Sequence, residues 1–373
     1  MHRGSSGILP MQELRALVSA GAIRGVPAID PRQIQPNSLD LRVGPVAFRA
    51  RYSFLPVHAP VATLLEELTL DRLDLTGGDG ALLETGKVYV IPLCEALALP
   101  EGLSASANPK SSTGRLDILA RLLVDRGSMF DAVPAGYAGP LYLELVPRAF
   151  PVRLRAGDSL SQLRLGRGPV RPLPDDELRA EITAGGLVLD EAGRPLAADE
   201  LAIDDGVFLT VAVTGAPDDE IIGYRAKRST PAVDFRRLDH PHGLYWEPVR
   251  AHDRASERLV LQPEEFYICS SHQRVIIPPH LCAEMVPYDA KSGELRTHYA
   301  GFFDSGFGLG CGGARVVLEV RNLDVPFLLQ DGQRLFRLRY FRNSAVPEAL
   351  YGRELGSNYQ GQRLRLSKHF SAS

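Results

Sequence analysis

The chain has 373 residues, 45% of them hydrophobic and 23% charged, which suffices for two domains that each bury a core and excludes a disordered chain. A formal net charge of −3 excludes a global basic field that would draw in a nucleic acid polymer, so any phosphate must be met by a local cluster. No apolar run approaches the length of a membrane span, and MHRGSSGILPMQEL lacks the apolar core of a signal peptide, so a cytoplasmic protein away from membranes is expected.

The first predicted element is a helix over MQELRALVSA, starting near Pro10 and ending at Gly21, a suitable C′ glycine. Helical periods are few after it. The runs VYVIPL, LYLELV, RVVLEV and VPFLL are short, apolar and separated by Gly, Pro and Asp turns. They predict a mainly β chain, with a barrel or jelly-roll-like sandwich in each half and few short helices. Residues 172–200, rich in Pro, Gly and acid, read as a linker with one short helix around Asp175–Thr183, which divides the chain into domains 1–185 and 186–373. In RLFRLRYFR, Phe336, Leu338 and Tyr340 alternate with Arg337 and Arg339 across a predicted strand.

The two halves repeat one pattern. Tyr89 precedes Pro100 by eleven residues, as Tyr267 precedes Pro278. Then come K-S-S-T-G-R, with Lys110, Ser111, Ser112 and Arg115, and K-S-G-E-L-R, with Lys291, Ser292 and Arg296; lysine to arginine is five residues in both. Asp131 and Glu144 follow in the first half, Asp304 and Glu319 in the second, and each glutamate precedes a glycine (Gly157, Gly332) by thirteen residues. Agreement in order, spacing and type at five landmarks points to a duplicated domain.

Two of these landmarks carry chemistry. K-S-S-T-G-R places two hydroxyls, a lysine and an arginine at a turn or helix start, a cradle for phosphate oxygens without P-loop spacing. The second copy replaces one hydroxyl by Gly293. Glu144 and Glu319 each interrupt an apolar strand, so each must face solvent, pair with a cation or line a pocket. A pocket glutamate drawn out of water can act as general base and then acid.

Taken together, I-Q-P-N-S-L-D-L-R-V-G (Ile34–Gly44), K-S-S-T-G-R, the D…E strand, the G-[DQ]-x-L strand and the tail S-N-Y-Q-G-Q (Ser357–Gln362) resemble the deoxycytidine triphosphate deaminases of the trimeric deoxyuridine triphosphatase superfamily. The resemblance covers most of the chain, once per half, with N-S-L-D-L-R clear only in the first. It implies two tandem distorted jelly-roll domains, a homo-oligomer (a trimer of two-domain chains or a pseudo-symmetric assembly) and sites shared between domains. The implied activity is hydrolysis of dCTP to dUTP and ammonia in pyrimidine deoxynucleotide biosynthesis, without zinc and with Mg²⁺ carried on the triphosphate.

By position, the resemblance assigns Lys110, Ser111, Ser112 and Arg115 to the triphosphate and the attacking water, Asp304 to the sugar or base, and Glu319 (alternatively Glu144) to proton transfer. The backbone at Val317 would read the cytosine edge, and Tyr351, Asn358 and Gln362 would belong to the lid. The family usually has arginine where Lys110 stands and commonly lysine where Asn358 stands, so one bidentate and one cationic phosphate contact are lost. The expected site is a composite of Lys110–Arg115 from one half with Asp304, Glu319 and the tail from the other. The reciprocal set, Lys291, Ser292 and Arg296 with Asp131 and Glu144, would be a second, degenerate site.

Two rival readings stand beside this: a deoxyuridine triphosphate pyrophosphatase or bifunctional enzyme, for which F-D-A-V-P-A-G-Y-A-G is also suited, and a nucleotide-binding module without catalysis. Cys94, Cys269, Cys282 and Cys311 form no C-x-x-C pair and read as isolated buried thiols. The arginines of PVRLRAGDSLSQLRLGRGPVR read as a solvated or interface face, Trp246 as core or subunit interface, and His240, His242 and His298 show no metal-ligand spacing.

Overall fold

The structure, a computed structural model, describes residues 5–214, 220–251, 258–287, 295–298 and 301–371. Helix α1 (Met11–Ser19) ends as its sequence predicts, with Gly21 at φ 73°. The N-terminal half continues through β1 (Leu39–Arg42), α2 (Val61–Leu68), β2 (Val88–Ala98), β3 (Leu103–Pro109), α3 (Ser111–Gly114), β4 (Ile118–Val124), β5 (Ala138–Pro147) and β6 (Ser159–Arg167). After α4 (Asp175–Gly185) come β7 (Val207–Ala212), α5 (His242–Tyr245), β8 (Phe266–Val275), β9 (Leu281–Pro287), β10 (Leu295–His298), β11 (Ala314–Asn322) and β12 (Arg334–Arg342), with shorter strands between. The fold is mainly β, built of curled, mostly antiparallel sheets with short helices.

In the N-terminal half β6 pairs with both β1 and β3, and β5 lies between β2 and β4. In the C-terminal half β11 lies between β8 and β10, and β12 pairs with β9. Strand β7 changes partner along its length: Val207–Thr210 follow β12, while Val211 and Ala212 follow β8, which curls two layers into one sheet. The registers of the halves coincide. Val90, one residue after Tyr89, stands opposite Glu144; Ile268, one residue after Tyr267, stands opposite Glu319. Ser106 faces Arg164 as Glu284 faces Arg339.

Strand period dictates where the glutamates point. In β11, Val316, Leu318 and Val320 enter the core of the C-terminal half, so Val317, Glu319 and Arg321 turn the other way. That other face is not solvent. Val317, Phe266 and Ile268 belong to a cluster with Leu116, Ile118 and Leu160 of the N-terminal half. Trp246 sits in the same cluster, edge-on to Phe150 at 5.2 Å, as the core reading of that residue expects.

Polar contacts fix the halves against each other. Asn37 accepts from the Ser305 amide (2.8 Å) and hydroxyl (2.8 Å) with its side-chain oxygen. Ser38 donates to Asp304 at 3.3 Å. Arg164, only 2% exposed, donates to the Asp304 carboxylate at 2.9 Å and to the Ala283 carbonyl at 2.9 Å, and stacks over Phe302 at 4.0 Å. The solvated alternative for this arginine run therefore fails at Arg164: its strand face meets the other half of the chain, not water.

Two further expectations change. Helix α4 is not part of a free linker, because Leu178 and Ile182 are buried in the C-terminal core together with Leu187 and Val188. The acids of its first turn, Asp175, Asp176 and Glu177, suit the N-terminal end of a helix and made the segment look more soluble than it packs. Of the cysteines, Cys269 and Cys282 are buried, Cys94 is partly covered and Cys311 is exposed, so the buried-thiol reading holds for two of the four.

Two measurements check this packing. Leu178→Ala is expected to lose about 2–5 kcal/mol of unfolding free energy in urea titration, whereas a helix in a linker would lose almost nothing. Arg164→Met is expected to lose about 3–5 kcal/mol, because it strands a buried carboxylate. Burial already raises the Asp304 carboxyl above its usual range, against the pull of Arg164. Without the guanidinium it rises further, so the folded state binds more protons than the unfolded one and stability falls as pH rises above about 4. The variant's deficit in urea midpoint should therefore be larger at about pH 8 than at about pH 5.

Candidate active site

A cavity of about 190 Å³ lies between the halves and the C-terminal tail. Lys110, Ser111, Ser112 and Arg115 line it from the N-terminal half; Asp304, Val317 and Glu319 line it from the C-terminal half; Tyr351, Asn358 and Gln362 line it from the tail. The structure thus brings the composite set of residues into one place.

Local sequence explains how each is held. Lys110 precedes α3 in an extended conformation, its amide donates to the Leu160 carbonyl at 2.9 Å, and the Thr113 hydroxyl donates to the same oxygen at 2.8 Å. The single turn of α3 is thereby clamped to β6. Lys110 forms an ion pair with Asp40 of β1. Arg115 follows the turn and is 3% exposed. Its terminal nitrogens donate to Gln362 at 2.8 Å and to the Arg365 carbonyl at 3.0 Å, and its guanidinium lies 4.0 Å over the Tyr359 ring. Its Nε, buried and without a hydrogen bond, stands 3.9 Å from Glu319.

Glu319 is 4% exposed. Burial pushes its carboxyl well above the usual carboxylate range; Arg115 pulls against that and Asp117 adds to it. At 3.9 Å the Arg115 contact is too long for a hydrogen bond, so among the described residues the carboxyl is paired by charge and not by a hydrogen bond.

The tail closes the cavity. Gln362 bridges Arg115 and the Arg315 carbonyl (3.0 Å), and Ser367 donates to the Ser112 carbonyl at 2.8 Å. Tyr351 donates its amide to Ser305 at 2.8 Å and accepts from the Tyr359 amide at 3.2 Å. Gly306, at φ +98°, makes this approach possible: a Cβ there would fall 2.7 Å from Leu350 and 2.9 Å from the Tyr351 nitrogen. Asn358 is exposed at the rim.

Of the reciprocal set, only Asp131 and Glu144 have described side chains, and neither lines this cavity. Lys291 and Ser292 lie outside the described residues, and of Arg296 only the backbone in β10 is described, opposite Arg321. Glu144 is fully buried and paired with Arg121, whose guanidinium stacks 3.7 Å over Phe130 and donates to Ser53 at 3.0 Å. Its sheet face, with Val90, Leu123 and Tyr142, lies under Val61 and Leu65 of α2. Asp131 accepts from the Leu122 amide at 2.7 Å, and burial pushes its carboxyl up to about 7.

Sequence reasoning did not single out Asp40, Gln35, Gln162, Phe302, Phe307 or Tyr359, all of which line the cavity. Asp40 and Tyr359 stand inside strings already set apart, N-S-L-D-L-R and S-N-Y-Q-G-Q, and membership of those strings was the available signal. Among the described residues no group of three or more His, Cys, Asp or Glu is arranged to hold a metal ion, and no helix is long and apolar enough to cross a membrane.

Comparison with known proteins agrees with this architecture. The family model described as the 2′-deoxycytidine 5′-triphosphate deaminase N-terminal domain matches residues 5–169, and that of the C-terminal domain matches residues 176–370. A crystal structure of 2′-deoxycytidine 5′-triphosphate deaminase from Agrobacterium tumefaciens superposes with a TM-score of 0.86 at 44% identity, covering 94% of this chain and 99% of that one. Curated relatives named dCTP deaminase, dUMP-forming, include those of Streptomyces coelicolor, 34% identical over 36% of this chain and 64% of its own length, and Mycobacterium ulcerans, 31% identical over 42% and 78%. The chain spans less than two thirds of the length of the first of these relatives, 64% and 55% for the Streptomyces coelicolor and Beutenbergia cavernae proteins. With both halves matched and a solved relative aligned almost end to end, the chain belongs to the 2′-deoxycytidine 5′-triphosphate deaminase family of hydrolytic enzymes.

Proposed function

We propose that this chain hydrolyses dCTP to dUTP and ammonia, with Glu319 activating the water and no protein-bound zinc taking part. The observation that carries the reading is the cavity itself: a buried carboxyl with its proton affinity raised, facing an arginine and a Lys-Ser-Ser turn from the other half of the chain. Glu319 takes a proton from water as the water oxygen bonds to C4 of the cytosine. The carboxylic acid returns the proton to the ring nitrogen; the new C4 hydroxyl then gives its proton, through Glu319, to the amine, and the C4–N bond breaks with its electron pair on nitrogen as the C4 carbonyl forms and ammonia leaves. Arg115 faces the carboxylate and the negative charge that develops beside it in a site with little water. Ser111 positions the water.

Lys110, Ser111, Ser112 and Arg115 would receive the triphosphate, Asp304 the sugar or base and the Val317 backbone the cytosine edge, with Tyr351, Asn358 and Gln362 closing over them. The Asp40 carboxylate beside Lys110 leaves that lysine a weaker phosphate ligand than a free cation. The nucleotide is taken as its Mg²⁺ complex, with the metal on phosphate oxygens. The described lining residues fit that role, since they offer hydroxyls and cations to phosphate, and neither Cys nor His to a transition metal. A homo-oligomer, a trimer of two-domain chains or a pseudo-symmetric assembly, is part of the proposal.

A second reading is favoured by the relatives' names: the α–β phosphate bond is cut as well, and dUMP and pyrophosphate leave. Incubation with dCTP and Mg²⁺, followed by ammonia assay and nucleotide chromatography, separates the two. Ammonia with dUTP supports the first reading and ammonia with dUMP the second; binding without ammonia release overturns both. Glu319→Gln is expected to reduce kcat by roughly 10²–10⁴, while folded Glu144→Gln stays within about threefold of the parent. Loss of turnover in Glu144→Gln alone would contradict the assignment.

A further inference from the structure

At the phosphate end of the cavity the cations are already engaged. Lys110 is ion-paired with Asp40, and Arg115 is held by Gln362 and the Arg365 carbonyl. From the tail, Asn358 at the rim carries no charge, and Arg365 donates to the Asn358 carbonyl at 2.7 Å. Further along, the tail brings in Lys368. Before it, Ser367 donates to the Ser112 carbonyl at 2.8 Å. After it, the fully buried His369 donates through Nδ1 to the Arg237 carbonyl at 3.2 Å, with its ring 4.4 Å from that of Phe235. Between these anchors the Lys368 amide donates at 3.2 Å to the hydroxyl of Tyr359, which lines the cavity. The backbone of Lys368 is thus pinned against the turn that carries Ser111 and Ser112.

Lys368 is half-buried, and the charges that act on its ammonium are those of Lys110 and Asp40. Among the described residues that ammonium makes no hydrogen bond and no ion pair. Burial lowers its proton affinity below that of an ordinary lysine; Lys110 adds to this and Asp40 opposes it. Two lysines therefore share one carboxylate, and one positive charge is left over in a setting short of water, where an anion is the natural balance. We propose that Lys368 is a further phosphate-binding residue, which meets the outer phosphates of the nucleotide together with Lys110. Its side chain does not line the cavity as it stands. A lysine carries a point charge on a flexible four-carbon stem, so rotation of the stem brings that charge toward a phosphate placed beside Lys110. The inference rests on the placement of the phosphates proposed above and adds a consequence to it. Because Lys368 belongs to the tail, closing of the tail and recognition of the outer phosphates become one event, and the tail reads the length of the phosphate chain.

The experiment measures the dissociation constants of dCTP and dCMP by calorimetry with Mg²⁺ present. The full-length protein carries Glu319→Gln, so that dCTP is not consumed, and is compared with and without Lys368→Met, with folding followed by thermal melting. Lys368→Met keeps most of the stem and removes the charge. It should weaken dCTP binding by about tenfold, the worth of one hydrogen bond to a charged group, and dCMP binding by less than about twofold. Lys368→Arg should recover most of the dCTP affinity. A merely structural role in the tail would weaken both nucleotides alike. Equal weakening, or unchanged dCTP binding in the folded variant, overturns the proposal. If Lys368→Met does not fold, Lys368→Gln is judged by the same ratio. The two levels of the account stay separable. A reference protein that binds no dCTP defeats the proposed function and this inference with it. Ammonia release by Glu319→Gln counts against the proposed function, and the ratio is then read from the KM for dCTP and the inhibition constant of dCMP. Binding of dCTP with an unchanged dCTP-to-dCMP ratio in Lys368→Met defeats this inference alone.

Discussion

Arg115 and Glu319, some two hundred residues apart in the chain, meet at 3.9 Å with almost no access to water. An ionised carboxylate costs several kcal/mol to bury alone, so the site exists only while the two halves are docked closely enough for an opposite charge to reach it. Much of the polar chemistry at the junction serves that docking. Asn37 and Ser38 fix the turn that carries Asp304, Arg164 holds the same turn from below, and the Asp117–Arg321 pair fixes β11. The tail completes the enclosure through Gln362 and Ser367, with Phe370 packed among Trp246, Tyr245 and Phe150.

The halves share strand register but diverge at the site. Glu144 stands where Glu319 stands, yet Arg121 from the adjacent strand neutralises it directly and α2 covers its sheet face. Among the described residues Glu319 has no such cover from its own half; the neighbouring half and the tail enclose it and leave space in front. A carboxyl paired at hydrogen-bond distance within its own sheet is a structural group. One paired by charge across a cavity is free to exchange a proton, and this difference favours Glu319 over Glu144 for the proposed chemistry.

Spacing between the repeats was enough to pick out Lys110, Arg115, Asp304 and Glu319, because a duplicated pattern marks its landmarks twice. Strand alternation correctly gave the two faces of β12, with Phe336, Leu338 and Tyr340 inward. What could not be read were partners chosen in three dimensions. Arg164 lies in an arginine-rich strand that looks solvated until another half of the chain is laid on it. Asp40 and Lys110 meet across seventy residues, and Asp117 and Arg321 across more than two hundred. Helix α4 hid its two buried positions, Leu178 and Ile182, among first-turn acids and small residues, which is why its segment resembled a linker.

On the proposed function, a pyrimidine nucleotide sits in the shared cavity with its base amine toward Glu319 and its phosphates toward Lys110–Ser112. A crystal structure of the protein with a bound deoxycytidine nucleotide tests it most directly. The expected complex has the cytosine C4 region within hydrogen-bond or one-water distance of the Glu319 carboxyl, with the tail closed through Gln362. A nucleotide bound beside Glu144, or one whose base points away from Glu319 toward solvent, would contradict it.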